Sequence, residues 1–136
     1  MVGILLLTHA PLGSAFLSAA AHVFRGCPER IEALDVRPDQ DPAEVRRLVH
    51  AALARLDDGA GVLVITDVMG GTPSNCSSDT VAEIGKVEVI AGLSLPMLLR
   101  ALTYRNDTLE VTAEMALAGG QAGALRVDPR IRVSVN

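Results

Sequence analysis

Val62-Leu63-Val64-Ile65-Thr66-Asp67-Val68-Met69-Gly70-Gly71-Thr72-Pro73-Ser74-Asn75 is the stretch on which the fold turns. Val62–Ile65 is a short branched-aliphatic run without polar alternation, the pattern of a strand buried on both faces of a parallel sheet. A loop with two glycines follows, and Pro73 stands where a helix can begin. Strand, loop and helix in that order are the opening of a βαβ unit.

The same grammar extends in both directions. Val2–Leu7, Ile31–Val36 and Val87–Ala91 are comparable runs, with Glu32 and Asp35 interrupting the second and Glu88 the last. Helical stretches lie between them. Pro11–Phe24 and Pro73–Ile84 each open with proline and run to a glycine, Gly26 or Gly85. Asp41-Pro42-Ala43-Glu44 places a carboxylate at an N-cap, proline at the first helical position and glutamate at the third. Val45, Leu48, Val49, Ala52, Leu53 and Leu56 then form one apolar stripe, which Asp57-Asp58-Gly59 ends. Leu95–Tyr104 and Leu109–Leu125 are two further helices, the second weakened by Gly119-Gly120. The order β-α-β-α-β-α-β-α-α is closed by the alternating run Ile131-Arg132-Val133-Ser134-Val135. It predicts an α/β fold: a doubly wound, mostly parallel sheet of about four parallel strands plus a C-terminal edge strand, with helices on both faces. Neither repeat nor linker interrupts residues 1–136, so one domain is expected.

Composition narrows the function. Apolar residues are 49 % of the 136, and 19 residues are alanine, but only one Tyr and two Phe are present. Net charge is −4, with 11 Arg and one Lys scattered among 16 acids. Nucleic-acid binding, which needs a basic face and stacking aromatics, is disfavoured. Cys27 and Cys76 form neither a disulfide framework nor a zinc pattern, and they suit a reducing cytosol. Ile4–Leu7 is too short for a membrane span and stops at Thr8-His9-Ala10-Pro11. No basic residue precedes it, as a signal peptide would require. A cytoplasmic protein is expected.

Ligands of open parallel sheets bind beyond the carboxyl ends of the strands. The first strand delivers His9 there and the third delivers Asp67. On adjacent strands, Asp67 can accept the Nδ1 proton of His9 and leave the Nε2 lone pair bare. Gly70 and Gly71 allow backbone N–H groups close to an anion at a helix start, and Thr72 adds a hydroxyl. Nucleophile, orienting base and phosphoryl-binding loop together point to phosphoryl transfer through a phosphohistidine. Each part also has an ordinary role: a histidine satisfied by backbone, an aspartate capping a turn, glycines supplying positive φ. Their coincidence at two strand ends is what favours chemistry. There is no G-x-x-x-x-G-K-[ST] loop, and no G-x-G-x-x-G follows the first strand, so a nucleotide site lacks its signature. His22 and His50 read as surface residues, Cys76 as a small packing residue, and Met69 as an apolar lip.

At these residues the chain resembles the IIA component of the mannose-type (mannose–fructose–sorbose) sugar phosphotransferase system. The resemblance rests on Gly3-Ile4-Leu5-Leu6-Leu7-Thr8-His9, on Thr66 through Asn75, and on Val89-Ile90-Ala91-Gly92-Leu93-Ser94-Leu95-Pro96-Met97-Leu98, in matching order along essentially the whole chain. It implies that His9 is phosphorylated on Nε2 by the system's phosphocarrier protein, that Asp67 orients it, and that Gly70, Gly71 and Thr72 receive the phosphoryl group. A IIB component then takes that group, and the membrane is met only through IIC and IID partners. The resemblance also implies a homodimer in which the final strand, here Ile131–Val135, joins the partner's sheet. The residue after the histidine, commonly glycine in this family, is Ala10. A related dihydroxyacetone-kinase subunit carries Gly-Ser-Ala where this chain has Gly-Gly-Thr-Pro, so the sugar type matches better.

The expected chemistry is an in-line transfer with a loose, highly charged transition state, needing neither metal nor cofactor. Two other readings stand beside it: a regulatory sensor that also uses His9 and whose phosphorylation state selects partners, and a flavodoxin-like module for a small anionic ligand. The shortage of ring-stacking aromatics argues against the last.

Overall fold

Ile4, Leu5, Leu6 and Leu7 have no accessible surface, and they divide alternately between two cores. A strand with this property must be central and covered on both faces. In the computed structural model, which describes residues 1–69 and 86–131, that strand is β1 (Gly3–His9). It is followed by α1 (Leu12–Val23), β2 (Ile31–Val36), α2 (Pro42–Leu56), β3 (Val62–Thr66), β4 (Val87–Ala91), α3 (Leu95–Tyr104) and α4 (Leu109–Gly123). The described strands are all parallel, in the order β2-β1-β3-β4. The chain moves one way from β1 to β2 and returns to the other side for β3. The β1–β3 boundary is therefore the switch point at which such sheets hold ligands.

Ile4, Leu6, Leu63 and Ile65 face a core shared with Ala20 of α1, Met97, Leu98 and Ala101 of α3, and Ala113 and Ala116 of α4. Leu5, Leu7, Val62 and Val64 face Val45, Val49, Ala52, Leu53 and Leu56, the stripe of α2. Each fully buried aliphatic contributes about 1.5–3 kcal/mol. The doubly wound α/β architecture read from the sequence is thus present. Both central strands run further than their aliphatic stretches, β1 through Thr8 and His9 and β3 through Thr66. Both threonines are fully buried, and their β-branched side chains sustain the ladder.

Helix starts are mostly written into the sequence. Asp41 accepts from the Ala43 amide (3.1 Å), Ser94 from Met97 (3.3 Å) and Thr108 from Val111 (3.2 Å). At α1 the N-cap position is Pro11, which supplies no side-chain acceptor. Gly119-Gly120, expected to weaken α4, lies inside an unbroken helix. The reason is close packing: a Cβ on Gly119 would lie 2.8 Å from Arg100 Cβ and 3.1 Å from the Pro96 carbonyl. Small residues let α3 and α4 approach, and that contact outweighs the propensity penalty. The helix ends at Gly123 rather than Leu125.

Arg105 closes the amino end of the sheet. It is 6 % exposed and donates to the carbonyls of Val2 (3.0 and 3.1 Å), Glu29 (2.5 Å) and Arg30 (2.6 Å). Burial, and secondarily the neighbouring Arg30, lower its pKa from the usual guanidinium value, against the opposing pull of Asp58 and Glu29. Among the described residues, no helix is long and apolar enough to cross a membrane. The predicted helix Pro73–Ile84 and Cys76 lie outside the described residues. So does the final strand Ile131–Val135, apart from Ile131, which sits in a bend.

Candidate active site

Parallel pairing sets the site. Leu7 is the register partner of Thr66, so His9 and Asp67 emerge side by side at the carboxyl ends of β1 and β3. Asp67 Oδ2 lies 2.9 Å from His9 Nδ1 and also accepts the His9 backbone N–H at 3.1 Å. Its Oδ1 accepts the Val68 amide at 2.9 Å. Both the backbone and the ring of His9 are thereby held by one carboxylate. Burial alone pushes the Asp67 carboxyl up, but the hydrogen bonds from the His9 ring, the His9 amide and the Val68 amide outweigh it. The carboxyl is held below its ordinary value. With Asp67 ionised, the bonded ring nitrogen carries a proton, so in the neutral ring it is Nε2 that holds the lone pair. Among the described residues Nε2 has no partner, and the His9 side chain is 51 % exposed against 10 % for Asp67. An imidazole nitrogen is therefore open to solvent, with a carboxylate tucked behind the ring.

The strand ends are tied to their surroundings by backbone. The Ala10 amide donates to the Val36 carbonyl at 2.9 Å, which holds the chain beyond His9 against β2. The Thr66 carbonyl accepts the amides of Gly92 and Leu93, each at 3.0 Å. Gly92 has φ +94°, a conformation that a side chain would strain, and it turns the chain from β4 toward α3. Val68 and Met69, the residues after Asp67, are 54 % and 87 % exposed.

Of the residues singled out in the sequence, His9 and Asp67 are brought into contact. Gly70, Gly71 and Thr72 lie outside the described residues. His22 and His50 are exposed on α1 and α2, away from this strand end, and Cys27 is an exposed free thiol. Sequence reasoning missed a second polar cluster beside His9. Thr8 Oγ1 accepts the Gly13 amide (2.7 Å), Asp35 Oδ1 accepts the Ser14 amide (3.2 Å), and the Ser14 hydroxyl donates to Asp35 Oδ2 (2.5 Å). These groups cap α1 in place of Pro11. The signal was available: a helix with no capping side chain, and an aspartate near the end of a strand otherwise read as merely interrupted.

The family model described as the PTS system fructose IIA component (EIIA-man) matches residues 3–118. The chain belongs to this IIA family of the phosphotransferase system (PTS). The mannose-type resemblance carried by the three motifs is therefore correct. This IIA chain is 31 % identical over 132 residues to the PTS system mannose-specific EIIAB component of Escherichia coli (strain K12), covering 94 % of itself and 41 % of that protein. It thus spans less than half the length of that relative. It is 30 % identical over 106 residues to the PTS system sorbose-specific EIIA component of Lacticaseibacillus casei, covering 76 % of itself and 74 % of the relative. Its fold is shared with the mannose/sorbose-specific IIA subunit from Enterococcus faecalis, with TM-score 0.86 and 19 % identity over 97 % of this chain and 98 % of that one. The phosphotransferase component EIIA from Streptococcus agalactiae is similar at TM-score 0.83 and 24 % identity, over 93 % and 97 % of the two chains.

Proposed function

We propose that the chain is a phosphoryl carrier: His9 accepts a phosphoryl group from the phosphocarrier protein and passes it to a IIB component that serves sugar uptake. The observation that carries this reading is the 2.9 Å contact between His9 Nδ1 and Asp67 Oδ2 beneath a half-exposed ring. In the first step the Nε2 lone pair attacks phosphorus in line, and the bond from phosphorus to the donor breaks with its electron pair returning to the donor. The Nδ1 proton stays on the ring, and the Asp67 carboxylate compensates the positive imidazole that results. The transition state is loose, so the protein's contribution is positioning and fixed dipoles. Gly70, Gly71 and Thr72 are the proposed phosphoryl-binding loop. No metal or cofactor enters the scheme.

In this reading residues 1–136 act as one IIA domain in the cytoplasm, meeting the membrane only through IIC and IID partners. A homodimer is also proposed. Leu125, Val127 and Ile131 are 68 %, 63 % and 64 % exposed along the segment after α4, an apolar strip that a second copy would cover.

The test is incubation with phosphoenolpyruvate and the two general phosphotransferase proteins. The expected product is an acid-labile, alkali-stable adduct that mass spectrometry locates on His9, and His9→Ala should abolish it. Phosphoryl uptake by His9→Ala on another histidine would overturn the assignment.

A further inference from the structure

We propose that Asp35 is a positioning residue of this site. Its carboxylate occupies the start of α1, so that a phosphoryl group on His9 is kept off that helix terminus and remains transferable. The proposal rests on the phosphoryl-carrier reading above.

Helix α1 begins at Leu12, three residues beyond His9. A helix start so soon after the histidine in the chain attracts anions, because its first amides have no intrahelical partner and carry partial positive charge. Here two of those donors, the Gly13 and Ser14 amides, are already filled. Thr8 takes the Gly13 amide, and Asp35 takes both the amide and the hydroxyl of Ser14. Asp35 is the register partner of Thr8, the residue immediately before His9, so its charge is fixed one strand away from the carrier histidine. The cluster has no slack. A Cβ on Gly13 would lie 2.8 Å from Asp35 Oδ1 and 2.9 Å from Thr8 Oγ1. The carboxylate is therefore part of the scaffold rather than a mobile surface charge.

Two consequences follow from this placement. Mechanically, the cluster joins the tips of β1 and β2 to the first turn of α1, fixing both ends of the short segment that carries His9. Electrostatically, a full negative charge offsets the helix terminus, so the phosphorylated state is not over-stabilised. A carrier that bound its cargo more tightly in the resting state would give it up more slowly.

Variants of the full chain separate the two roles. Asp35→Asn keeps an oxygen for the Ser14 amide and removes the charge, whereas Ser14→Ala keeps the charge and removes the hydroxyl bond. The phosphorylated fraction at equilibrium with the phosphocarrier protein, and the rate of back-transfer to that protein, are measured at low and high salt. Asp35→Asn should raise the phosphorylated-to-free ratio by about two- to fivefold at low salt and slow back-transfer, an effect that shrinks at high salt. Ser14→Ala should leave the ratio unchanged. Asp35→Ser, neutral but with its own acceptor, should shift the ratio as asparagine does, which covers the case of a poorly folding asparagine variant. A purely structural role would instead lower uptake and melting temperature together. An unchanged or lowered ratio in folded Asp35→Asn or Asp35→Ser overturns the proposal while the carrier reading stands. No uptake by the unmodified chain overturns both.

Discussion

At the scale of single residues, Asp67 gathers three hydrogen bonds on one carboxylate, and its pKa is lowered as a result. A lowered folded-state pKa contributes stability that is fully present above the unfolded carboxylate value, about 3.9, and is lost as pH falls through the folded value. Asp67→Asn should therefore cost about 1 kcal/mol near neutral pH, and the difference from the unmodified chain should fade below about pH 4. Urea unfolding of both proteins between pH 3 and 7 reads this directly, and a cost independent of pH would contradict it. In the transfer assay, Asp67→Ala should slow phosphoryl acceptance by about 10²–10⁴-fold. His9 and Asp67 were legible in the sequence because each ends an aliphatic run, and a strand end has few places to point. The grip of Asp67 on the His9 amide was not legible, and neither was the Thr8–Gly13–Ser14–Asp35 cluster. Such contacts depend on which strands neighbour each other and in what register, and local patterning does not record that.

At the scale of elements, the aliphatic runs gave each described strand to within two residues, and in β1 and β3, buried on both faces, there is no room for polar alternation. The helix α4 shows where local rules fall short. Propensity argues against Gly119-Gly120 within a helix, but propensity is blind to how near α3 lies. The two glycines make a sharp test of that explanation. Gly119→Ala should destabilise by about 1–3 kcal/mol, since the new methyl meets Arg100 Cβ and the Pro96 carbonyl, neither of which can swing away. Gly120→Ala should cost little or even stabilise, since its nearest neighbour is the flexible end of Met97, 2.7 Å away, and alanine favours the helix. Thermal melts of the two variants should separate them. Equal effects would mean that packing against α3 is not what keeps the glycines.

At the scale of the whole molecule, the proposed dimer has a direct consequence in solution. Sedimentation should give twice the chain mass at micromolar concentration, and paired Leu125→Asp and Val127→Asp substitutions should shift it toward the single-chain mass. A monomer across that range in the unmodified protein would remove the proposal. The sequence disclosed the winding of the sheet through its alternating periods, yet it gave no hint of Arg105. That side chain reaches back across 103 positions to the Val2 carbonyl, a pairing that only the closed fold creates. The placement of that guanidinium puts a folding clamp at the end of the sheet away from the histidine. Folding is secured at the rim opposite the histidine, where a change is punished by unfolding. Leu12, Val68 and Met69, at the histidine's end of the sheet, stand out in solvent and carry little of the packing. Polar substitutions at these three positions should therefore leave the melting temperature nearly unchanged, while Arg105→Ala should lower it sharply.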